Sequence, residues 1–198
     1  MNDYTIVFQA GGQSSRMGQD KALVPLAGKP IIEHIIERVG SLAENHLLIT
    51  NSPQNFAYLG LPLASDADPG AGALPGLKTA LESAATSFIV LIACDMPFVS
   101  PELLQHQISL AQSGDVIVPL WQGYHQTMHA VYARLPVLAA VEDALAAGKR
   151  RMISFYPQVK VVEIGEPVIT RFDPDGRTFF NVNTPEELEE AERMIRGG

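Results

Sequence analysis

Cysteine is nearly absent from this chain of 198 residues, which contains only Cys94. A single cysteine excludes an intrachain disulfide framework and a cysteine-rich metal site. The reducing cytoplasm is therefore the expected setting of this protein. A chain of this length can bury one substantial core without such cross-links, so we expect a single domain over residues 1–198.

Basic residues and long apolar runs are also scarce. The chain has 14 Lys and Arg against 22 Asp and Glu, a net charge of −8. This balance argues against nonspecific binding to nucleic acid or to an anionic membrane. No stretch approaches the roughly 20 apolar residues of a membrane span, and the N-terminus has no signal-peptide pattern. We expect a protein that is neither exported nor bound to a membrane.

Apolar runs of strand length alternate with segments of helical period along the whole chain. This alternation predicts parallel strands joined by helical crossovers. The predicted strands cover residues 4–8, 46–50, 88–93, 116–120, 129–133 and 159–164. Helices are predicted behind Pro30, over residues 76–85, from Ser100-Pro101, over residues 136–147 and from Thr184-Pro185.

The segment at residues 10–21 follows the first predicted strand and gives the strongest functional signal. Its three glycines permit close backbone approach, so main-chain N–H groups can form a concave anion site. Arg16 and Lys21 bring positive charge to the same place. A P-loop would need Gly-Lys-Ser/Thr, but Asp20 precedes this lysine and Ala22 follows it. An ordinary turn is the alternative, and the charges favour a triphosphate-binding loop.

Asp95 follows the apolar run at residues 88–92, on the sheet edge expected for the glycine-rich loop. A carboxylate there suits Mg²⁺, which prefers one or two carboxylates together with phosphate oxygens. The alternative is that Asp95 caps a turn or a helix. The neighbouring Cys94 is interpreted as a small core residue and not as a nucleophile.

Four further polar residues stand at predicted strand or helix ends. Asn51 and Asp66 are turn residues by default, although the Asn51 amide could read a nucleobase or ribose. Asn181 and Asn183 precede the last helix, where capping explains Thr184 but not the two amides. His125 and His129 have helical metal-ligand spacing, but His129 belongs to a predicted strand and no third ligand is apparent.

Together these motifs resemble the molybdenum cofactor guanylyltransferases, which belong to a wider nucleotidyltransferase superfamily. The resemblance spans nearly the whole chain, from Ile6 to the final helix. It rests on motifs that occur in the family's order: Gln9-Ala10-Gly11-Gly12, Arg16-Met17-Gly18, Asp20-Lys21, Asp66, Cys94-Asp95-Met96-Pro97 and Asn181-Val182-Asn183-Thr184-Pro185. Gln9 departs from the family pattern, because that position is usually apolar.

The resemblance implies a fold, a reaction and a set of partners. The fold is α/β, a three-layer Rossmann-like arrangement with a mostly parallel central sheet flanked by helices. The reaction transfers GMP from GTP to molybdopterin-bound molybdenum cofactor and releases pyrophosphate, with Mg²⁺ as cofactor. The partners are GTP, the molybdenum cofactor, molybdoenzyme-specific chaperones and molybdopterin-loading proteins.

The resemblance also implies residue roles. Arg16, Lys21 and Asp95 are catalytic, and Asp95 holds the metal. Asn181 and Asn183 border the acceptor. The nucleotide is bound by Gln9, Ala10, Gly11, Gly12, Lys21, Asn51, Asp66 and Asp95.

Two alternatives to this activity stay open at this point. One is a cytidylyltransferase or sugar-phosphate nucleotidyltransferase of the same fold, since the glycine-rich loop identifies only the superfamily. The other is a noncatalytic protein that binds nucleotide or cofactor and delivers it to apoenzymes. The presence of Arg16, Lys21 and Asp95 argues against the second alternative.

Overall fold

The computed structural model describes residues 3–10, 20–65 and 72–197. The strands are β1 (Tyr4–Ala10), β2 (Pro25–Leu26), β3 (Lys29–Pro30), β4 (Asn45–Thr50), β5 (Leu63–Ala64), β6 (Phe88–Ala93), β7 (Val116–Trp121), β8 (Tyr124–His125), β9 (His129–Ala133) and β10 (Val161–Ile164). The α-helices are α1 (Ile31–Val39), α2 (Pro53–Phe56), α3 (Ala73–Ser83), α4 (Pro101–Ser109), α5 (Arg134–Ala146), α6 (Glu166–Ile169) and α7 (Pro185–Gly197).

The main sheet has the strand order β10-β7-β9-β6-β1-β4-β5, and β8 pairs with the outer part of β7. β1 lies between β4 and β6 and is parallel to both. β7 and β10 are also parallel. The predicted α/β fold with a mostly parallel central sheet is confirmed.

β9 is the exception, because it runs antiparallel to both of its neighbours, β6 and β7. The antiparallel β9 is compatible with the mostly parallel sheet that we expect from the sequence, although the strand and helix alternation gives no sign of its direction. The seven residues between β7 and β9 hold only the short strand β8 and its turns. A parallel return needs a crossover of a dozen or more residues, so this short connection can only reverse the chain.

Helices cover both faces of the sheet. Side chains alternate along β1, so that Ile6 and Phe8 join the core beneath α1, α4 and α7, while Val7 joins the core beneath α3 and α5. All three side chains are fully buried. The middle of the central strand is therefore apolar on both faces.

The predicted helix starts at residues 100–101 and 184–185 are confirmed. The Ser100 hydroxyl accepts a hydrogen bond from the Leu103 N–H at 3.2 Å, and the Thr184 hydroxyl accepts one from the Glu187 N–H at 3.2 Å. Pro30 is not the first helical residue as expected, because it pairs in β3 and stands just before α1.

Other element bounds differ from the sequence prediction by a few residues. α3 begins at Ala73 and α5 at Arg134, three and two residues earlier than predicted. β10 begins at Val161 and not at residue 159, because Val159 still closes the preceding 3-10 helix Met152–Gln158. Across the described ranges, no helix combines the length and apolar character needed to cross a membrane.

Candidate active site

The carboxyl ends of β1, β4 and β6 meet at one edge of the sheet. Ala10 at the end of β1 pairs with Thr50 at the end of β4, and Gln9 pairs with the last residue of β6. Asn51 follows β4 directly and is exposed, and Asp95 is the second residue after β6. Open α/β sheets bind their ligands in the crevice outside the carboxyl ends of their strands.

Seven of the predicted site residues belong to the described part of the chain, and four do not. Those outside it are Gly11, Gly12, Arg16 and Asp66. Their predicted roles stay predictions. The described ones are Gln9, Ala10, Lys21, Asn51, Asp95, Asn181 and Asn183.

Lys21 contacts the segment that precedes the last helix. It begins a short 3-10 helix, Lys21–Leu23, which Asp20 caps by accepting a hydrogen bond from the Ala22 N–H at 3.2 Å. The Lys21 Nζ donates to Oδ1 of Asn183 over 2.5 Å. Sequence reasoning assigned these two side chains to different halves of the site, and the structure brings them together.

Asp95 lies next to the same segment. Its backbone carbonyl accepts a hydrogen bond from the Val182 N–H at 2.8 Å. Its Oδ1 is buried and has no hydrogen-bond partner within the described ranges. Burial raises the pKa of the Asp95 carboxyl, and the positive charge of Lys21 counteracts part of that rise. A buried carboxylate oxygen with unused capacity to accept thus lies within the electrostatic influence of the Lys21 ammonium.

The start of α7 fixes the position of Asn183. The Glu187 carboxylate accepts hydrogen bonds from the N–H groups of Asn183 and Thr184, at 2.6 and 2.9 Å. Together with the bond from the Glu187 N–H to the Thr184 hydroxyl, these contacts form a reciprocal capping box. Sequence reasoning found this capping box but not its second task, which is to hold the backbone of Asn183 opposite Lys21.

Gln9 packs against the first part of α3. A Cβ added to Gly76 would come within 2.6 Å of the Gln9 Nε2, so only a glycine leaves room for this side chain in its present position. The Gln9 Oε1 is buried, and no described residue donates a hydrogen bond to it. A carboxamide with an unsatisfied oxygen at a strand end is chemically suited to accept a hydrogen bond from a ligand.

Cys94 is buried between Asp95 and the core. Burial raises the pKa of its thiol well above the ordinary value, and the nearby charges of Asp95 and Asp20 raise it further. The thiol is therefore neutral and unreactive at neutral pH. The interpretation of Cys94 as a core residue agrees with this environment.

His129 and Thr178 connect β9 to the segment that carries the two asparagines. Both residues are fully buried, and the His129 Nε2 and the Thr178 Oγ1 are 3.0 Å apart. The Thr178 hydroxyl also accepts a hydrogen bond from the Ser100 N–H at 2.9 Å. Sequence reasoning missed Thr178, and only its place three residues before Asn181 could have signalled it. These contacts anchor the backbone on which Asn181 and Asn183 stand.

The unfolding free energy should fall as the pH drops from about 6.5 to about 4. Burial lowers the pKa of His129 to about 4 from its ordinary value of 6.5, so within this window only the unfolded chain binds the proton. The loss should reach about 3 kcal/mol at pH 4. Urea unfolding across this pH range measures it.

A matched pair of variants isolates the contribution of His129. His129→Gln should lose most of this pH dependence, whereas His34→Gln, which changes a partly exposed histidine on α1, should retain it. Equal slopes in the two variants would contradict the assignment.

No group of three metal-ligating side chains occurs among residues 3–10, 20–65 and 72–197. His125 and His129 stand on different strands, β8 and β9, and not on one helix face. Asp95 alone suits a cation that takes most of its ligands from phosphate oxygens and water, which is the behaviour of Mg²⁺. Its unpartnered Oδ1 fits such a ligand set.

Known proteins resemble this chain over nearly its whole length. The family described as the MobA-like NTP transferase domain matches residues 6–161. A protein of Carboxydothermus hydrogenoformans named "Probable molybdenum cofactor guanylyltransferase" is 36% identical over 98% of both chains. A protein of Desulfosudis oleivorans named "Molybdenum cofactor guanylyltransferase" is 32% identical over 100% of this chain and 98% of its own.

A solved structure agrees with this comparison. The molybdopterin-guanine dinucleotide biosynthesis protein A of Archaeoglobus fulgidus superposes with a TM-score of 0.83 at 26% identity, over 98% of this chain and 100% of its own. The fold, the matched residues and the full-length similarity all agree. This chain belongs to the MobA-like NTP transferase family and is a nucleotidyltransferase.

Proposed function

We propose that this enzyme transfers GMP from GTP to the terminal phosphate of molybdopterin that carries molybdenum. The hydrogen bond from Lys21 to Asn183 carries the proposal, because it brings a cation and an amide together within the electrostatic influence of the Asp95 carboxyl. The full-length similarity to proteins named as guanylyltransferases supports GTP as the donor.

The reaction is a displacement at phosphorus. An oxygen of the acceptor phosphate attacks the α-phosphorus of GTP, the bond to the bridging oxygen breaks, and pyrophosphate leaves with that oxygen and its electron pair. No covalent enzyme intermediate is needed, since positioning and charge neutralisation supply most of the catalysis in phosphoryl transfer.

Lys21 and the glycine-rich loop provide the charge neutralisation in this proposal. The Lys21 ammonium holds the triphosphate and stabilises the charge that develops on the leaving pyrophosphate. Arg16 and the main-chain N–H groups of Ala10, Gly11 and Gly12 share this role. Because Lys21 also donates to Asn183, the same ammonium fixes a residue that we assign to the acceptor side.

Asp95 holds Mg²⁺ in this proposal. When bound, the ion neutralises charge on the phosphate oxygens. Gln9, Asn51 and Asp66 contact the guanosine, while Asn181 and Asn183 border the pterin. We further propose the cytoplasm as the setting, with molybdopterin-loading proteins and molybdoenzyme-specific chaperones as partners that supply the acceptor and receive the product.

Pyrophosphate release from each of four nucleotides tests the function. We expect release from GTP when molybdenum-loaded molybdopterin and Mg²⁺ are both present, and little release from CTP, UTP or ATP. Release from CTP or UTP would support a cytidylyltransferase or sugar-nucleotidyltransferase instead. Binding of GTP with no release in the presence of acceptor would support a delivery protein.

A further inference from the structure

A cavity of about 580 Å³ opens beside Asn181, at the carboxyl end of β7. We call it the aromatic pocket, because Trp121, Tyr124, Phe179 and Phe180 line it. Aromatic residues make up only 7% of the chain. Their concentration in a cavity within the usual volume range of small-molecule sites suggests a flat ligand.

The rings of the aromatic pocket differ in how firmly they are held. Trp121 packs on Phe179 with ring centroids 5.8 Å apart, and a Cβ at Gly176 would overlap the Trp121 indole. Gly176 has a φ of +66°, so a larger residue is excluded on backbone grounds as well. Tyr124, in contrast, is 75% exposed at the mouth of the cavity. One wall is rigid, and one exposed ring is available to cover a ligand.

Tyr124 stands on the hairpin formed by β7 and β8, whose turn contains a backbone conformation that costs free energy. Its turn residues Gln122 and Gly123 both have left-handed backbone conformations, with φ of +50° and +78°. A left-handed conformation costs a residue such as glutamine about 1 kcal/mol. The hairpin is held by Glu166, which accepts from the Gln122 N–H at 2.7 Å, and by a 2.6 Å contact between His125 and Glu163. Strained and braced turns of this kind are concentrated at ligand sites.

Asp175 supplies a directional polar group at the same cavity. Its carboxylate lies 3.2 Å from the Arg177 guanidinium, and its side chain is 66% exposed. A carboxylate accepts two parallel N–H bonds from adjacent donors on a planar group. A 2-amino-4-oxopyrimidine ring has such an edge, and both pterin and guanine contain that ring. The aromatic pocket therefore suits a ring of this class.

The strand order decides between pterin and guanine as the ring that this pocket binds. Asp95 follows β6, and β1 and β4 lie to one side of β6, with the glycine-rich loop and Asn51 at their ends. β9 and β7 lie to the other side, and the aromatic pocket is at the end of β7. Asn181 lines the pocket, and two residues later Asn183 contacts Lys21. The pocket is thus on the opposite side of Asp95 from the strand ends that we assign to guanosine.

We propose that the aromatic pocket binds the pterin ring of the acceptor, stacked on Trp121 and Tyr124, with the ring N3–H and the 2-amino group donating to the Asp175 carboxylate. This inference rests on the proposed function, since it names the ring that the acceptor brings to the site. The acceptor phosphate then extends along residues 181–183 toward Lys21 and Asp95. The hairpin thereby selects the acceptor independently of the nucleotide.

The single tryptophan of the chain provides a direct test. A ring stacked on Trp121 quenches its fluorescence, so titration with 6-hydroxymethylpterin in the absence of nucleotide reports binding alone. We expect saturable quenching, with a Kd about tenfold higher in Tyr124→Ala, the loss typical of one stacking partner. Asp175→Asn should weaken binding as well. Tyr58→Ala is the matched control, because Tyr58 is also exposed but donates a hydrogen bond to Glu33 and does not line the aromatic pocket.

Each outcome of the titration bears on the proposal. Equal Kd values in Tyr124→Ala and Tyr58→Ala, with thermal unfolding midpoints unchanged in both, would overturn it. Displacement of the pterin by GTP with Mg²⁺ would assign the pocket to guanine and overturn it too. Saturable quenching by a pterin that GTP does not displace supports the pocket assignment. This result can be obtained even in a preparation that transfers no GMP. Failure of the pocket assignment is therefore distinguishable from failure of the proposed function.

Discussion

Lys21→Ala should reduce kcat for pyrophosphate release from GTP by about 10²–10³-fold, the usual cost of removing one charge-stabilising group from a transition state. The variant loses the ammonium that donates to Asn183 and that offsets part of the rise which burial causes in the pKa of Asp95. The free energy of unfolding should fall by only about 1–2 kcal/mol, because a single charge-assisted hydrogen bond is removed. Steady-state kinetics and urea unfolding measure the two effects separately.

Lys29→Ala is the matched control for this variant. Lys29 also lies in the first part of the chain, but its Nζ pairs with Glu37 at 2.6 Å on the surface. Surface ion pairs contribute little, so both activity and stability should remain close to those of the unsubstituted protein. Near-normal kcat in Lys21→Ala would remove Lys21 from the catalytic assignment.

Asp95→Asn should abolish the dependence of the reaction on Mg²⁺ and lower kcat by about 10²–10⁴-fold, since a metal ion contributes several kcal/mol of charge stabilisation. The amide keeps the shape of the side chain but offers the cation a neutral oxygen. Burial already disfavours the charged carboxyl of Asp95, so the neutral variant should be at least as stable as the original protein. Titration of activity with Mg²⁺, together with thermal unfolding, checks both parts.

Asp143→Asn provides the comparison, because Asp143 is an exposed residue of α5. Its Mg²⁺ titration should superpose on that of the unsubstituted enzyme. An unchanged titration in Asp95→Asn would mean that the metal is held elsewhere, for example by a residue outside the described ranges.

The parts of the fold that could be predicted from the sequence are those determined by local chemistry. The buried strands β1 and β6 are continuous apolar runs, and the caps at Ser100 and Thr184 are side-chain hydrogen bonds to nearby backbone groups. The common edge of Gln9, Ala10 and Asp95 follows from parallel pairing of these strands. The strands and caps depend on local sequence alone, and the common edge needs only the general rule that parallel strands end at the same edge of a sheet.

The remaining features depend on contacts between distant residues. The direction of β9 follows from the short connection through β8, and the turn at Gln122 adopts a conformation that glutamine does not favour by itself. The aromatic pocket is formed by residues 121–126 and 175–181 together with Met194, which are far apart in the sequence. Thr178 likewise has no local motif, since its partners His129 and Ser100 stand on other elements.

The contact between Lys21 and Asn183 joins residues 162 positions apart, which has a consequence for the order of synthesis. At about 5–20 residues per second, a ribosome makes Asn183 roughly 10–30 s after Lys21. Once β4 and β6 have been made within that interval, the nascent chain can pair β1 with both strands, but Lys21 still lacks its partner Asn183. The proposed catalytic centre is therefore completed late in translation, and a nascent chain that has not reached residues 181–187 lacks the capped segment that contacts Lys21.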